Sequence, residues 1–442
     1  MIVLDWNGTL LASGIDRIGA VWISNVEIFR TSTPTSDGTS WHVEKDVSEY
    51  SSLFKSPHNI TSILTAYSGS IKITATISFY ETSQQFPEVS GPDTILPISS
   101  PRGSPWFTIS DNGIRGNTSV TLPENTLNVT LEVFATAHHC EETWFDTYVV
   151  PNPGCSGKDS FREIQVLLGG NLSGVIWPIP VIFTGGINQN LWETIPSVNA
   201  LDISPARLVL TPFVWRLANG LPHTISFRIV DNTGYWLIDA NILLSRDASS
   251  QVVTGGLAQY YIQDVSKETS VTIDWFQPKV TLTEDASRTS TIIGYTNTSK
   301  GTILTTIRQT MSMNNIQTIT PINLAESASA TGSVTTVITT KGPSIARNQT
   351  EIQSYFVGYS QPLISTKGLL ISQVDERVER QYTVTQDGST STILESDRVL
   401  AHANGDTLEN YSDANNSGDC YVHYISTTHG TPTSNVVNTK CA

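Results

Sequence analysis

The chain has 442 residues, enough for roughly two or three domains with buried cores. Its formal net charge of −15 argues against nucleic acid or an anionic membrane as the natural partner. No apolar run reaches the roughly 18 residues of a spanning helix, and Val175–Ile187 is interrupted by Pro178, Pro180, Gly185 and Gly186.

Residues 1–80 read as short strands with turn clusters between them: Ile2–Trp6, Ile15–Ile23, Val26–Thr31, Trp41–Val47, Ile60–Ala66 and Ile71–Tyr80. In the second of these, Ile18, Ala20 and Trp22 share the side of Asp16, with Arg17, Gly19 and Val21 opposite. A carboxylate at the mouth of an apolar strand is unusual, because charges avoid burial unless paired. Its plain alternative is a rim aspartate in a salt bridge or turn. In the last strand Ile71, Ile73, Ala75, Ile77 and Phe79 alternate, so that face is expected in the core. Glu81–Pro105 is rich in Pro, Ser and Gly and reads as a linker.

A second set of strands follows: Thr118–Leu122, Leu127–Ala137, Phe161–Leu168, Leu172–Phe183, Pro222–Val230 and Tyr235–Leu244. Between them His138–Lys158 is a long irregular loop, and such loops are commonly functional. Beyond residue 250 Thr and Ser rise, and Val334–Thr339, Gly368–Gln373 and Gln381–Gln386 alternate, with Asp387-Gly388 as a hairpin turn. Short helices are admitted only within His42–Leu53 and Thr211–Leu217. The expectation is an all-β protein divided at 1–90, 91–250 and 251–442, the last region carrying no recognisable chemistry.

The cysteines are Cys140, Cys155, Cys420 and Cys441. No Cys-x-x-Cys spacing supports a zinc ribbon, and the simplest connectivity pairs Cys140 with Cys155 and Cys420 with Cys441. Glycosylation sequons stand at Asn7, Asn59, Asn117, Asn128, Asn171, Asn297, Asn348, Asn410 and Asn415. With the cysteines they favour a secreted protein. No leader pattern precedes the first strand, so further residues are expected upstream.

Nucleophile elbows and zinc-protease motifs are absent. His138-His139 beside Glu141 makes a poor metal site, because adjacent side chains on extended backbone diverge; neither metal nor cofactor is expected. Glu141-Glu142, Glu27, Arg17 and Arg30 are the other charged candidates. Ion pairing is the plainer role for Glu27, and a solvated loop acid for Glu142. Trp22, Trp144, Trp177 and Trp192 suit sugar stacking or, by default, core packing. Thr184–Asn188 offers backbone N–H groups in a turn.

Several blocks resemble the peptide-N-glycosidase A family of plant and fungal glycoamidases. They are Ile2–Trp6, Asp16-Arg17-Ile18-Gly19-Ala20-Val21-Trp22, Val26–Thr31, Val43–Val47, Phe161-Arg162-Glu163-Ile164, Val175–Asn188, Leu191-Trp192 and Asp239–Leu244. The Asp-Arg strand also resembles, more faintly, bacterial peptide-N-glycosidase F. The resemblance covers roughly the first 250 residues and implies two jelly-roll-like sandwiches, with Asp16 as primary catalytic carboxylate and an acidic partner from the second sandwich. In the family an acidic pair precedes an aromatic run. Here it is Glu141-Glu142-Thr143-Trp144-Phe145, and Thr143 and Phe145 depart from the pattern. The implied assignment is Glu142 as partner; Glu141, Arg17, Arg30, Glu27, Trp144 and Trp192 are the candidates for substrate contact that the residues themselves offer. The implied reaction hydrolyses the amide between asparagine and the first N-acetylglucosamine of N-glycosylated peptides, without a metal. A non-catalytic carbohydrate-binding sandwich is the alternative, and a glycoside hydrolase using the same acids a third reading.

Overall fold

The computed structural model describes every residue except 13–17, 66–69, 84–90, 101–104, 111–115, 147–158, 277, 321–324, 363–370, 406, 418 and 440–442. It is an all-β chain of antiparallel sheets: two sandwiches followed by a large third sheet, as the sequence leads one to expect.

The first sandwich uses β1 (Ile2–Ala12), β2 (Gly19–Ile23), β3 (Val26–Thr31), β4 (Ser40–Asp46), β5 (Ile60–Leu64) and β6 (Ser70–Phe79). One sheet runs β4-β1-β6 and the other β3-β2-β5. On β1, Ile2, Leu4, Trp6 and Leu10 point into the core, as alternation requires. Gly8 holds the same parity because Trp41 lies across it; a Cβ there would sit 2.1 Å from the indole. The edge strand β6 is less covered than its pattern suggests. Ile71, Ile73 and Ile77 are half-buried and Phe79 is exposed, because an edge strand has a neighbour on one side only.

β2 and β3 are buried at every position. Val21, Ile23, Val26 and Ile28 face the first core, whereas Ile18, Ala20 and Trp22 pack with Trp106, Phe183, Ile203 and Leu237 of the second body. The β3-β2-β5 sheet is thus shared between two cores.

The second sandwich comprises β7 (Thr94–Ile98), β8 (Phe107–Ile109), β9 (Gly116–Val120), β10 (Thr126–His138), β11 (Glu163–Leu168), β12 (Asn171–Ile176), β13 (Ala206–Val209), β14 (His223–Val230) and β15 (Tyr235–Arg246). Its sheets run β13-β10-β15-β7, with β8 also on β15, and β12-β11-β14-β9. Two readings of the sequence need correction. The stretch taken as a linker contains β7, which pairs with β15. The strand expected to reach Phe183 stops at Ile176, because Pro178 and Pro180 have no N–H to give a ladder. The helical segments are short: 3₁₀ turns at Ser48–Lys55 and Thr211–Phe213, the latter running into one α turn, Val214–Leu217, where the sequence admits helices, and further 3₁₀ turns at His139–Glu141, Trp144–Asp146 and Gln189–Trp192, where it does not.

The remaining strands form one sheet of eleven: β16 (Thr254–Ile262), β17 (Ser266–Asp274), β18 (Lys279–Thr298), β19 (Gly301–Thr320), β20 (Ala325–Gly342), β21 (Ile345–Pro362), β22 (Ile371–Gln386), β23 (Ser389–Asn404), β24 (Thr407–Asn416), β25 (Asp419–Thr428) and β26 (Thr431–Asn438). From β18 onward each pairs with the next in sequence. Asp387 and Gly388 both have positive φ, as the expected hairpin turn demands. Val357, Val374, Val378, Val399 and Ala401 of this sheet join the core of the second sandwich. Buried polar side chains also clasp it. Glu284 accepts from Ser160, Arg288 donates to Glu163, Asn315 to the Phe145 carbonyl, and Asn410 to the carbonyls of Leu191 and Ile195. Asn410 is therefore buried and engaged, which removes it from the expected glycan sites; the other eight sequon asparagines are exposed or half-buried.

Glu376 is another clasp, accepting from Ser197 Oγ at 2.5 Å and Val198 N at 2.9 Å. Burial raises its carboxyl to about 8, so the proton stays on in the folded state at neutral pH. Stability linked to this proton is fully present below the unfolded value of 4.5 and is lost as pH rises through about 8. Glu376→Gln is expected to melt like the wild type at about pH 5 and to lose less stability by about pH 9. Thermal melts at both pH values check this, and parallel losses would show that Glu376 is not responsible.

Candidate active site

The face shared by β2 and the second sandwich is rich in polar groups. Trp22 Nε1 donates to Asp239 Oδ2 at 2.8 Å. Asp239 is fully buried. Burial, reinforced by the charge of Glu27, pushes its carboxyl well up. Arg30 makes a two-pronged pair with Glu27 at 2.6 and 2.8 Å and donates to the Leu237 carbonyl at 2.8 Å. Its guanidinium also lies 5.6 Å from the ring centres of both Trp106 and Phe134. Burial raises the Glu27 carboxyl against the lowering effect of Arg30. Glu27 and Arg30, both candidates for substrate contact, are thus fully buried and committed to each other and to the second sandwich.

Close to this face β10 ends at His138, which is stacked against Phe183 and Tyr235 with ring centres 5.6 and 5.3 Å away. Burial, then the charge of Arg30, lowers its pKa to about 3, so the imidazole is neutral at physiological pH. His139 takes a left-handed φ of 61°, and the chain turns sharply into His139–Glu141. The turn packs on Gly234, where a Cβ would lie 2.8 Å from the His138 carbonyl oxygen and 3.0 Å from the Cys140 and Glu141 nitrogens. It sends Glu141 inward and leaves Glu142 exposed.

Glu141 receives donors from three residues. Arg162 Nε and Nη2 donate at 2.6 and 2.9 Å, Trp236 Nε1 at 2.9 Å, and Thr233 N and Oγ1 at 2.7 and 2.6 Å. Burial acts to raise this carboxyl, but the donors outweigh it and hold it below the ordinary range. Arg162 in turn donates to the carbonyls of Asp159 and Phe161. Trp144 is buried against Phe145 and Trp236, and Trp192 donates to the Gly186 carbonyl from a buried position. In the Thr184–Asn188 turn, the N–H groups of Gly186 and Asn188 are spent on the carbonyls of Phe183 and Gly186.

Asp16, Arg17, Cys155 and Cys441 lie outside the described residues. Their neighbour Ile18 is described, and it sits in one cluster with Phe183, Leu237 and Tyr235, the last paired across the ladder with His138. The strand that follows Asp16 and the turn that carries Glu142 therefore meet the same wall. Among the described residues no cysteine is a free thiol. One group could geometrically hold a cation, Asp5, His42 and Glu44, but it lies on the outer face of β1 and β4. His138, His139 and Glu141 form no such group, since their partners are Thr136, Cys140 and Arg162. Sequence reasoning gave no role to Thr233 or Trp236, and named Asp239 only within the Asp239–Leu244 block. Asp239 could have been flagged as a carboxylate inside an apolar strand.

Truncating Arg162 to Met would leave Glu141 charged and buried, so a loss of about 3–5 kcal/mol is expected. Glu142→Gln, at an exposed position, should change stability by less than about 0.5 kcal/mol. Urea unfolding of the two variants checks the contrast.

Comparison with known proteins supplies the relationship. Residues 1–263 match the family model described as peptide N-acetyl-beta-D-glucosaminyl asparaginase amidase A. A curated relative from Prunus dulcis, peptide-N4-(N-acetyl-beta-glucosaminyl)asparagine amidase A, is 30% identical over 334 residues, covering 69% of this chain and 58% of the relative. The chain thus spans little more than half the length of that relative. Solved structures of PNGase F from Flavobacterium meningosepticum (TM-score 0.36, 14% identity, 55% of this chain and 84% of that one) and of PNGF-II (TM-score 0.38, 14% identity, 56% and 57%) are more distant. On the family match and the Prunus dulcis relative, the chain belongs to the peptide N-acetyl-beta-D-glucosaminyl asparaginase amidase A family.

Proposed function

We propose that this protein is a peptide-N-glycosidase that hydrolyses the side-chain amide joining asparagine to the first N-acetylglucosamine of N-glycopeptides. Family membership supports the reaction class. The observation that carries it to particular residues is the shared wall, where β2 enters beside Phe183 and Tyr235 and the Glu141-Glu142 turn leaves β10. Asp16 precedes Ile18 by two residues, and alternation favours the same face for both.

In this reading Asp16 activates water, whose oxygen bonds to the amide carbon as the C–N bond breaks. The proton passes to the leaving nitrogen, giving an aspartyl peptide and a glycosylamine. Glu142, exposed at the tip of the turn, is the partner carboxylate. Glu141 is reassigned as a positioning residue, because its oxygens are occupied by Arg162, Thr233 and Trp236. Glu27 and Arg30 likewise act by fixing the two sandwiches together. Arg17 stays a candidate for sugar contact. Buried in the described fold, Trp144 and Trp192 serve packing. We further propose a secreted protein with Cys140–Cys155 and Cys420–Cys441 disulfides, glycans at the exposed sequons, and domains at 1–90, 91–250 and 251–442.

Asp16→Asn is expected to abolish glycan release from a glycopeptide with the thermal midpoint nearly unchanged. Wild-type turnover in heavy-oxygen water should label the new aspartate once. Retained turnover by the variant removes Asp16 from its role. Binding without labelling points to a carbohydrate-binding protein, and an asparagine still bearing one sugar to a glycoside hydrolase.

A further inference from the structure

A cleft opens where the eleven-stranded sheet faces β4, β13 and the segment around Asp202–Ala206. Its main cavity has a volume of about 920 Å³. A neighbouring cavity of about 440 Å³ shares Asp202, Ser204, Arg380 and Glu395 with it. The floor lies beyond the 263 residues that the family model covers.

Strand register gives the floor its order. Met311, Val334, Gln353, Arg380, Glu395 and Asn416 are successive cross-strand partners on β19 to β24, and all line the cavity. At about 4.8 Å per strand this row runs roughly 24 Å across the sheet. A parallel row two residues along each strand contributes Glu351 and Tyr382. The floor is therefore a straight track set at right angles to the strands.

Charge on the walls is mostly settled within the protein. Lys45 pairs with Asp202 at 2.5 Å, and Arg207 with Glu49 and Glu132. The charge of Arg380 acts on Asp397, which lines the same cleft, but its Nε is buried and has no hydrogen-bond partner. An unpaired guanidinium nitrogen is costly unless a ligand completes it.

We infer that this track binds a neutral, extended oligosaccharide, and, resting on the proposed amidase reading, that it holds the outer part of the substrate glycan. The floor is a sheet face whose backbone groups are spent in the ladder, so a peptide strand could not add to it. Recognition falls to side chains. Met311 and Val334 make one end of the row apolar, and Gln353, Arg380, Glu395 and Asn416 offer both donors and acceptors along the rest, as hydroxyl-rich rings require. Tyr382 adds a half-buried aromatic surface. Glu351 and Glu395 repel anionic polymers. The position also fits: Ile203 packs with Ile18 beneath the proposed site, while its neighbours Asp202 and Ser204 line the cleft.

The test titrates a neutral oligomannose oligosaccharide, free of peptide, into the full chain by calorimetry. Binding is expected in the wild type and unchanged in Asp16→Asn, and weakened tenfold or more in Arg380→Ala and in Tyr382→Ala. Should either alanine variant fold poorly, Arg380→Gln serves, since it removes the charge and keeps most of the volume. In turnover, Arg380→Ala should raise KM for a glycopeptide bearing the full glycan, leave kcat unchanged, and spare a peptide bearing one N-acetylglucosamine. No binding at millimolar sugar overturns the inference, as does binding lost in Asp16→Asn or kept in the Arg380 and Tyr382 variants. A basic peptide that displaces the sugar overturns it in favour of a protein partner. Saccharide binding without glycan release overturns the amidase reading alone.

Discussion

The arrangement depends on a sheet that belongs to two cores at once. β2 and β3 send alternate side chains into the first sandwich and into the face of the second, leaving no position for solvent. Apolar contact alone would let such a face slide, since the hydrophobic effect has no direction. The polar groups set into it do have direction. Trp22 meets Asp239, and Arg30 bridges Glu27 to the Leu237 carbonyl. Each bond is buried, so a displaced register would leave charges unpaired in a dry interface, and that penalty fixes one docking geometry.

The turn that bears Glu142 is held by the same logic. Glu141 is an anchor whose oxygens face a guanidinium, an indole N–H and the two donors of Thr233. An exposed carboxylate on a loose loop would spend little time in one place. Next to a neighbour fixed in this way it has a defined root. The fixed and the presented carboxylate are adjacent because the left-handed residue His139 turns the chain so that consecutive side chains part company.

Much of this was legible in the residues and some was not. Period-2 runs gave most strands and the parity of Ile18, Ala20 and Trp22. Asp387-Gly388 gave its hairpin, because the turn is determined locally. β7 was missed: a five-residue strand containing Pro97 has no pattern of its own and exists because β15 offers it an edge. Glu27 pairs with Arg30 three residues on, in line with its plainer reading, but the Leu237 carbonyl that Arg30 also reaches and the Arg162 and Trp236 that hold Glu141 lie far along the chain or across a sheet. Local spacing contains no trace of those encounters. The transverse row on the third sheet was equally invisible, since it emerges only when register aligns residues from six hairpin-linked strands.

The long meander has a consequence for the order in which the chain assembles. From β18 to β26 each strand finds its partner immediately next in sequence. Such closures cost little entropy and can zip up locally, whereas β1 must wait for β6 and β10 for β15. Until the meander docks, the face of the second sandwich that receives Val357, Val374 and Val399 stays bare. During synthesis the body emerges first, so it must pass through a stage with a sticky flank that only a later-made part of the same chain can cover.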